Sequence, residues 1–197
     1  MLTETKRTTT PTEDAEFENM THKLMRPGRV RRAAVETVLF LVLAIGGGLL
    51  FWGGNFAKNM VHDQLSDQKI SFPAKGSPAL DAKEFPGLQQ YAGQAVDNGP
   101  KAKAYANEFI AVHLAKTAGG KTYSQVSDLS RANPTDTALA AQVQTLFRGE
   151  TLRGLLLYAW GWSVVGMIAT YVAYAAFAGA AIILIALGYG VLRPQHA

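Results

Sequence analysis

The chain has 197 residues, of which 48% are hydrophobic, and it carries a net charge of +4 and no cysteine. This length suits one small domain with membrane segments. The lack of cysteine excludes disulfides, thiolate nucleophiles and thiolate-bound metals, and the positive charge is not arranged as a patch that would bind nucleic acid.

Residues 1–32 are predicted to form a disordered, basic tail. The segment is polar and rich in threonine, so it has too little apolar surface to offset the entropy lost on ordering. Lys and Arg collect on the cytoplasmic side of membrane spans, which places this tail in the cytoplasm. The basic residues ahead of Ala33 are Lys23, Arg26, Arg29, Arg31 and Arg32.

The first apolar run, residues 33–57, predicts a transmembrane helix. No charged residue occurs from Thr37 to Ala57, and about 20 helical residues cross a hydrocarbon core of ~30 Å. The run is longer than the apolar part of a signal peptide, and no small-residue cleavage site follows Trp52, so we expect a retained anchor. Glu36, four residues after Arg32, is expected to pair with it at the rim of the span.

Residues 58–153 predict a small helical domain on the extracytoplasmic side. The first span is expected to continue as a helix as far as Lys69, and the Pro- and Gly-containing stretch 70–87 then predicts an irregular crossing. Apolar residues at helical spacing predict four further segments. The first covers Leu88–Val96, and the second covers residues 100–118 and begins at Pro100. The third follows the capping box of Thr122 and Gln125, and the fourth has Asn133 as its N-cap and Pro134 as its first residue.

The core of this domain is expected to form around Phe109. Its helix presents an apolar face, and the helices that carry Tyr91 and Leu129 present two more. In water, these three apolar faces have no other apolar surface against which they could be buried. We therefore expect Phe109 to be buried against Tyr91 and Leu129.

A second apolar run, residues 154–192, contains no charged residue. It is longer than one membrane crossing, yet no Pro, Asn or Asp marks a turn inside it, which favours one long helix. Tyr158, Trp160 and Trp162 suit the aromatic belt at the membrane surface. We therefore expect an interfacial segment followed by the second transmembrane helix, with residues 193–197 in the cytoplasm.

Together these segments predict an all-α membrane protein. Two transmembrane helices enclose a small helical extracytoplasmic domain, which makes it a two-pass protein of the cell membrane with both termini in the cytoplasm.

Small residues on both spans form a candidate helix-docking face. Small side chains let membrane helices approach closely. Two alternatives remain open: the two faces pack against each other within the chain, or at least one docks the helix of a partner protein. The residues are Gly46, Gly47 and Gly48 on the first span and Ala169, Ala173, Ala176 and Ala180 on the second.

Two arginines near the start of the second run are candidates for contact with a lipid headgroup or another anion. They are Arg148 and Arg153. The alternative is a surface ion pair between Glu150 and Arg153, three residues apart on one helix and worth about 0.2–0.5 kcal/mol.

No catalytic, cofactor-binding or metal site is predicted. His62 and His113 are isolated, whereas a metal ion needs three or four convergent ligands. Neither span contains a histidine that could hold haem. The sequence also lacks a phosphate-binding glycine loop and a nucleophile elbow, so we expect neither an enzyme nor a bound cofactor.

Two stretches resemble a known family. Residues 64–73, QLSDQKISFP, and residues 146–154, LFRGETLRG, are similar to a family of small two-span actinobacterial membrane proteins of unknown function. The resemblance covers most of residues 30–192 and implies the topology given above. Some members carry the label aromatic ring-opening dioxygenase, and this sequence offers no set of metal ligands to support that label.

The favoured interpretation is a non-catalytic accessory or scaffolding subunit of a larger membrane complex, such as a transporter or a respiratory or envelope-assembly machine. The alternative is a stand-alone sensor or lipid-binding membrane protein, and a membrane enzyme is the least favoured. The expected partners are membrane lipids and a larger integral membrane complex, with no nucleic acid. Self-association into a homo-oligomer is left open.

Overall fold

A computed structural model describes residues 27–192 of the protein, and these residues form helices joined by turns and one isolated bridge. The all-helical prediction is therefore confirmed for this part of the chain. Its α-helices are α1 (Pro27–Asp67), α2 (Gly99–Ala104), α3 (Ala111–Thr117), α4 (Tyr123–Ala132) and α5 (Thr137–Leu192). Short 3₁₀ helices occupy Pro78–Leu80 and Pro86–Tyr91, and a π-helical turn occupies Tyr105–Ile110.

Two of these helices, α1 and α5, are long and apolar enough to cross a membrane. The candidate spans within them are Val30–Asp67 and Thr137–Tyr189. The start of α1 corrects one prediction, because residues 27–32 of the supposed disordered tail are helical. Proline is favoured at the first position of a helix, where its missing N–H costs nothing. The rest of that tail, residues 1–26, and the tail 193–197 lie outside the described residues.

Two other features of α1 were predicted, and its C-terminal end at Asp67 lies two residues before the predicted Lys69. At its start, Nε of Arg32 donates to Oε1 of Glu36 at 2.7 Å, which confirms the expected pair. Beyond the apolar run the helix continues to Asp67 and buries Val61 and Leu65 in the domain core. Lys69, in the left-handed conformation at φ 53°, then ends it.

The segment after residue 91 differs from the predicted helix over Leu88–Val96. Only the 3₁₀ helix Pro86–Tyr91 forms there. Residues 93–96 instead pair antiparallel with residues 70–73, as shown by the bonds from the Phe72 amide to the Gln94 carbonyl and from the Val96 amide to the Ile70 carbonyl. Gly93 permits this turn through its positive φ of 72°. The amides that a helix would satisfy locally are satisfied by this distant segment.

The helix predicted from Pro100 is present but contains an irregularity. Asn98 caps its start by accepting a hydrogen bond from the Lys101 backbone amide. α2, the π-helical turn and α3 follow one another without a break. Two positive-φ glycines, Gly119 and Gly120, follow α3 and end this helical stretch.

The last two helices confirm one predicted cap and correct the other. Thr122 and Gln125 form the capping box of α4, each side chain bonding the other's backbone amide. α5 does not begin at Asn133 and Pro134. It begins at Thr137, because Oδ1 of Asp136 accepts hydrogen bonds from the backbone amides of residues 138 and 139 and so caps the helix.

One hydrophobic core joins the connecting helices to α1 and α5. Phe109 is only half-buried and packs against Phe85 and Tyr105. Leu129 is 41% exposed and lies outside the core, so the part of the prediction that buries Phe109 against Leu129 is wrong. Tyr91, the other predicted neighbour, packs against the same core as Phe109. The most buried large side chains of the described residues are Leu80, Leu88, Val96, Val126 and Leu146.

Candidate functional site

The helices α1 and α5 approach each other closely at two glycines, Gly54 and Gly166. A Cβ atom added at Gly54 would lie 2.8 Å from the carbonyl oxygen of Gly166 and 3.1 Å from the amide nitrogen of Thr170. A Cβ at Gly166 would lie 3.1 Å from the Cβ of Ala57. The backbones of α1 and α5 are therefore in direct contact here, as small residues allow in membrane helices.

The three consecutive glycines of the predicted docking face have different surroundings. A Cβ at Gly47 would lie 3.2 Å from the Cβ of Ala176, so these two members of the face meet within the chain. Nothing lies within 4 Å of a Cβ at Gly46 or at Gly48. Only Gly47 of the three therefore lies in close contact with α5.

The alanines of the predicted face are covered to different degrees. Ala173 is 0% exposed and Ala180 is buried, so the chain itself covers both. Ala169 and Ala176 are only partly covered. These placements show packing within the chain, and docking of a partner helix on the remaining surface stays a prediction.

A groove of about 530 Å³ lies between α1, α5 and the turn that precedes α2. That volume falls in the range of small-molecule sites, roughly 300–1,000 Å³. The lining combines polar and apolar side chains. The polar end contains Lys58, Asn59, His62, Asp97 and Asn98, with Val61 among them, and the apolar part on α5 contains Val164 and Met167 and ends at Thr170 and Tyr171.

The polar end is organised around Asp97. Its Oδ1 accepts hydrogen bonds from Nζ of Lys101 at 3.0 Å and from the side-chain Nδ2 of Asn98 at 2.9 Å. The bond from Lys101 is the main reason that the pKa of Asp97 is lowered from its ordinary value. The carboxylate is therefore charged, and Lys101, whose side chain is only 17% exposed, offsets that charge.

Lys58 is the cation of the groove that has no acidic partner among residues 27–192. A second ammonium, that of Lys103, lies 4.6 Å from the ring centroid of Trp160 in a cation–π contact. The polar end thus combines one unpaired cation with one neutralised carboxylate.

Gly99 fixes the turn before α2 against α5. A Cβ atom at this position would collide with the side chain of Ser163, whose hydroxyl donates to the Trp160 carbonyl. Any larger residue would therefore push the turn away from α5 and widen the groove.

An exposed aromatic pair lies on the domain, away from the groove. The rings of Tyr123 on α4 and Phe147 on α5 are 6.0 Å apart, and their side chains are 39% and 52% exposed. Phe147 lies within the candidate span Thr137–Tyr189 but precedes its charge-free part by seven residues, about 10 Å of helix. We therefore expect this exposed apolar surface to lie outside the lipid.

The two predicted anion-binding arginines lie in different environments. Nη1 of Arg153 bonds Glu150 at 3.2 Å, as the alternative predicted, and Nη2 bonds Asn107 at 3.2 Å. Arg148 is exposed and makes no ion pair with the described residues. Contact of either side chain with a headgroup or other anion stays a prediction.

The sequence alone does not predict the groove. It predicts that Lys58 continues the first helix and that Trp160 belongs to the aromatic belt, and it gives His62 no role because a metal site would need further ligands nearby. No local motif joins residues about 100 positions apart. Within residues 27–192 no group of three or more His, Cys, Asp or Glu side chains converges as a metal site would require.

Comparison of the chain with protein-family models, with curated proteins and with solved structures gives no match. The resemblance to a two-span actinobacterial family therefore stays a prediction.

Proposed function

We propose that the protein is a non-catalytic accessory subunit of a larger membrane complex. In this proposal α1 and α5 cross the membrane, both termini lie in the cytoplasm, and the helical domain lies on the opposite side. The basic residues that precede the span of α1 support this orientation. The buried ends of both long helices, Val61 and Leu65 on α1 and Leu146 and Leu156 on α5, support a domain held firmly to its anchors.

The exposed pair of Tyr123 and Phe147 carries the proposal. Exposed leucine and valine side chains on the spans are expected, since lipid covers them. Exposed aromatic side chains on the aqueous domain have no such cover, and aromatic residues are enriched in the centres of protein interfaces. We therefore assign this pair to the contact with a partner protein.

The charges beside the pair define the partner's chemistry. Lys121 comes two residues before Tyr123, and Arg148 follows Phe147 directly. Neither makes an ion pair with the described residues. A second copy of this chain docking face to face would bring these cations together, which is unfavourable. A different protein with an apolar centre and an acidic rim fits better.

Gentle extraction of a tagged, full-length chain tests the proposal. We expect a second protein to co-purify in a fixed ratio, and Phe147→Gln to release it while the chain stays inserted and folded. Leu129→Gln is the matched control, because it also places an amide at an exposed apolar position of the same domain. Recovery of the wild-type chain alone, or equal release by both variants, would contradict the proposal.

A stand-alone lipid-binding protein is the second candidate, and the groove is the observation that favours it. The two candidates differ in one measurement. A lipid-binding protein would be recovered without a protein partner but with lipid still bound.

A further inference from the structure

The groove between α1 and α5 lies where the charge-free runs of the two helices meet the domain. Its apolar lining on α5 runs from Val164 to Tyr171, which is about 10 Å of helix. One leaflet contributes about half of the ~30 Å hydrocarbon core, so this apolar lining fits within one leaflet. Residues 163–171 belong to the charge-free run, whereas Lys58 is the first charged residue after the charge-free run of α1, and Asp97 is tied to the next turn of α1 by its bond to His62. The polar end is therefore level with the headgroups if the helices cross the membrane.

The polar end has spare capacity for an anion. Asp97, the carboxylate of the groove, is already bonded by Lys101. Lys58 has no acidic partner, and the side-chain amide of Asn59 makes no hydrogen bond within the described residues. His62 donates from Nδ1 to the Asp97 carbonyl, because a carbonyl can only accept, and so supports the turn that lines the groove rather than the anion.

We propose that this groove binds one anionic phospholipid from the leaflet that faces the domain. The ammonium of Lys58 pairs with the phosphate, with the Asn59 amide beside it. One acyl chain lies along Val164 and Met167 toward Tyr171. The match rests on the composition of the lining, which joins an unpaired cation and side-chain amides to apolar side chains of the charge-free run. The inference rests on the two-pass arrangement and is independent of any protein partner, because every lining residue belongs to this chain.

Native mass spectrometry of the full-length chain tests this proposal. The chain is delipidated in detergent and then offered phosphatidylglycerol and phosphatidylcholine in equal amounts. We expect phosphatidylglycerol to be retained in preference. A Lys near a membrane surface contributes about 1 kcal/mol toward anionic lipid, so Lys58→Gln should weaken this binding roughly fivefold. Lys75→Gln is the matched control, because Lys75 is also exposed and lies outside the groove.

Inorganic phosphate, added in place of lipid, separates the headgroup from the acyl chain. We expect phosphate alone neither to compete with the lipid nor to raise the melting temperature. Equal retention of the two lipids, equal loss with Lys58→Gln and Lys75→Gln, or full competition by phosphate would each overturn the proposal. If the chain purifies without a protein partner but retains the lipid, the result supports the lipid-binding groove. It then contradicts only the assignment of the protein as a subunit of a complex.

Discussion

The carbonyl oxygen of Asp97 accepts a hydrogen bond from Nδ1 of His62 at 2.9 Å, which ties the turn before α2 to α1. The same residue binds Lys101 through its side chain. Asp97 therefore connects the first long helix to the shorter helices of the domain, and its ionisation should affect the stability of that connection.

The first prediction concerns acid stability. Because the pKa of Asp97 is lowered, chiefly by Lys101, the folded state holds the charged carboxylate more strongly than the unfolded chain does. Its contribution is complete above the ordinary carboxyl pKa of about 3.9 and is lost as the pH falls through the lower folded-state pKa. We expect Asp97→Asn to cost on the order of 1 kcal/mol at pH 7 and to flatten the acid decline measured by thermal unfolding.

Asp128 provides the control for that prediction. It also pairs with an arginine on its own helix, but both side chains are largely exposed, and such pairs contribute little. Asp128→Asn should leave the acid decline unchanged. An Asp97→Asn curve that follows the wild type at every pH would contradict the assignment.

The second prediction concerns the spacing of α1 and α5. Gly54→Ala places a Cβ atom against the backbone of Gly166 and Thr170, so the helices must separate and the melting temperature in detergent should fall. Gly53→Ala meets nothing within 4 Å, and it should be neutral or stabilising because alanine favours helix. Equal melting temperatures for the two variants would show that the helices do not pack at Gly54.

The third prediction uses a rescue at the turn before α2. Gly99→Ala should destabilise the chain, because its Cβ atom collides with the side chain of Ser163. Ser163→Gly removes the atoms that collide, so the double variant should regain part of the loss. Strictly additive melting temperatures would contradict the contact. Gly161→Ala, an open position on the same helix, should have little effect and serves as the control.

The fourth prediction separates core from surface in the domain. Leu88 is completely buried, so Leu88→Ala should lower the free energy of unfolding by about 2–5 kcal/mol. Leu129 is 41% exposed and lies outside the core, so Leu129→Ala should cost under about 1 kcal/mol. Chemical denaturation of the two variants measures both values. A similar cost at the two positions would contradict the described core.

The features predictable from the sequence are those that local chemistry determines. The charge-free runs predict α1 and α5, and the side chains of Thr122 and Gln125 bond amides three residues away to cap α4. The prediction of a helix over Leu88–Val96 is wrong because the same apolar spacing also suits a 3₁₀ helix followed by an extended segment that pairs with another segment. The choice between them depends on the partner segment 70–73, which lies about 20 residues earlier.

The groove could not be predicted for a related reason. Lys58, Asp97 and Trp160 come from three separate parts of the chain and converge only after folding. The small-residue face was predicted, but its closest contacts were not. Gly54 and Gly166 pack backbone to backbone, and glycine content alone does not distinguish such positions from Gly46 or Gly48.

The most direct test of the subunit assignment is cross-linking in living cells from position 147. A photo-reactive phenylalanine analogue there should yield one discrete adduct with a different membrane protein, because Phe147 is the exposed centre of the aromatic pair. The same analogue at position 129, on the same domain, should yield none. No adduct from position 147, or an adduct only with a second copy of this chain, would contradict the account.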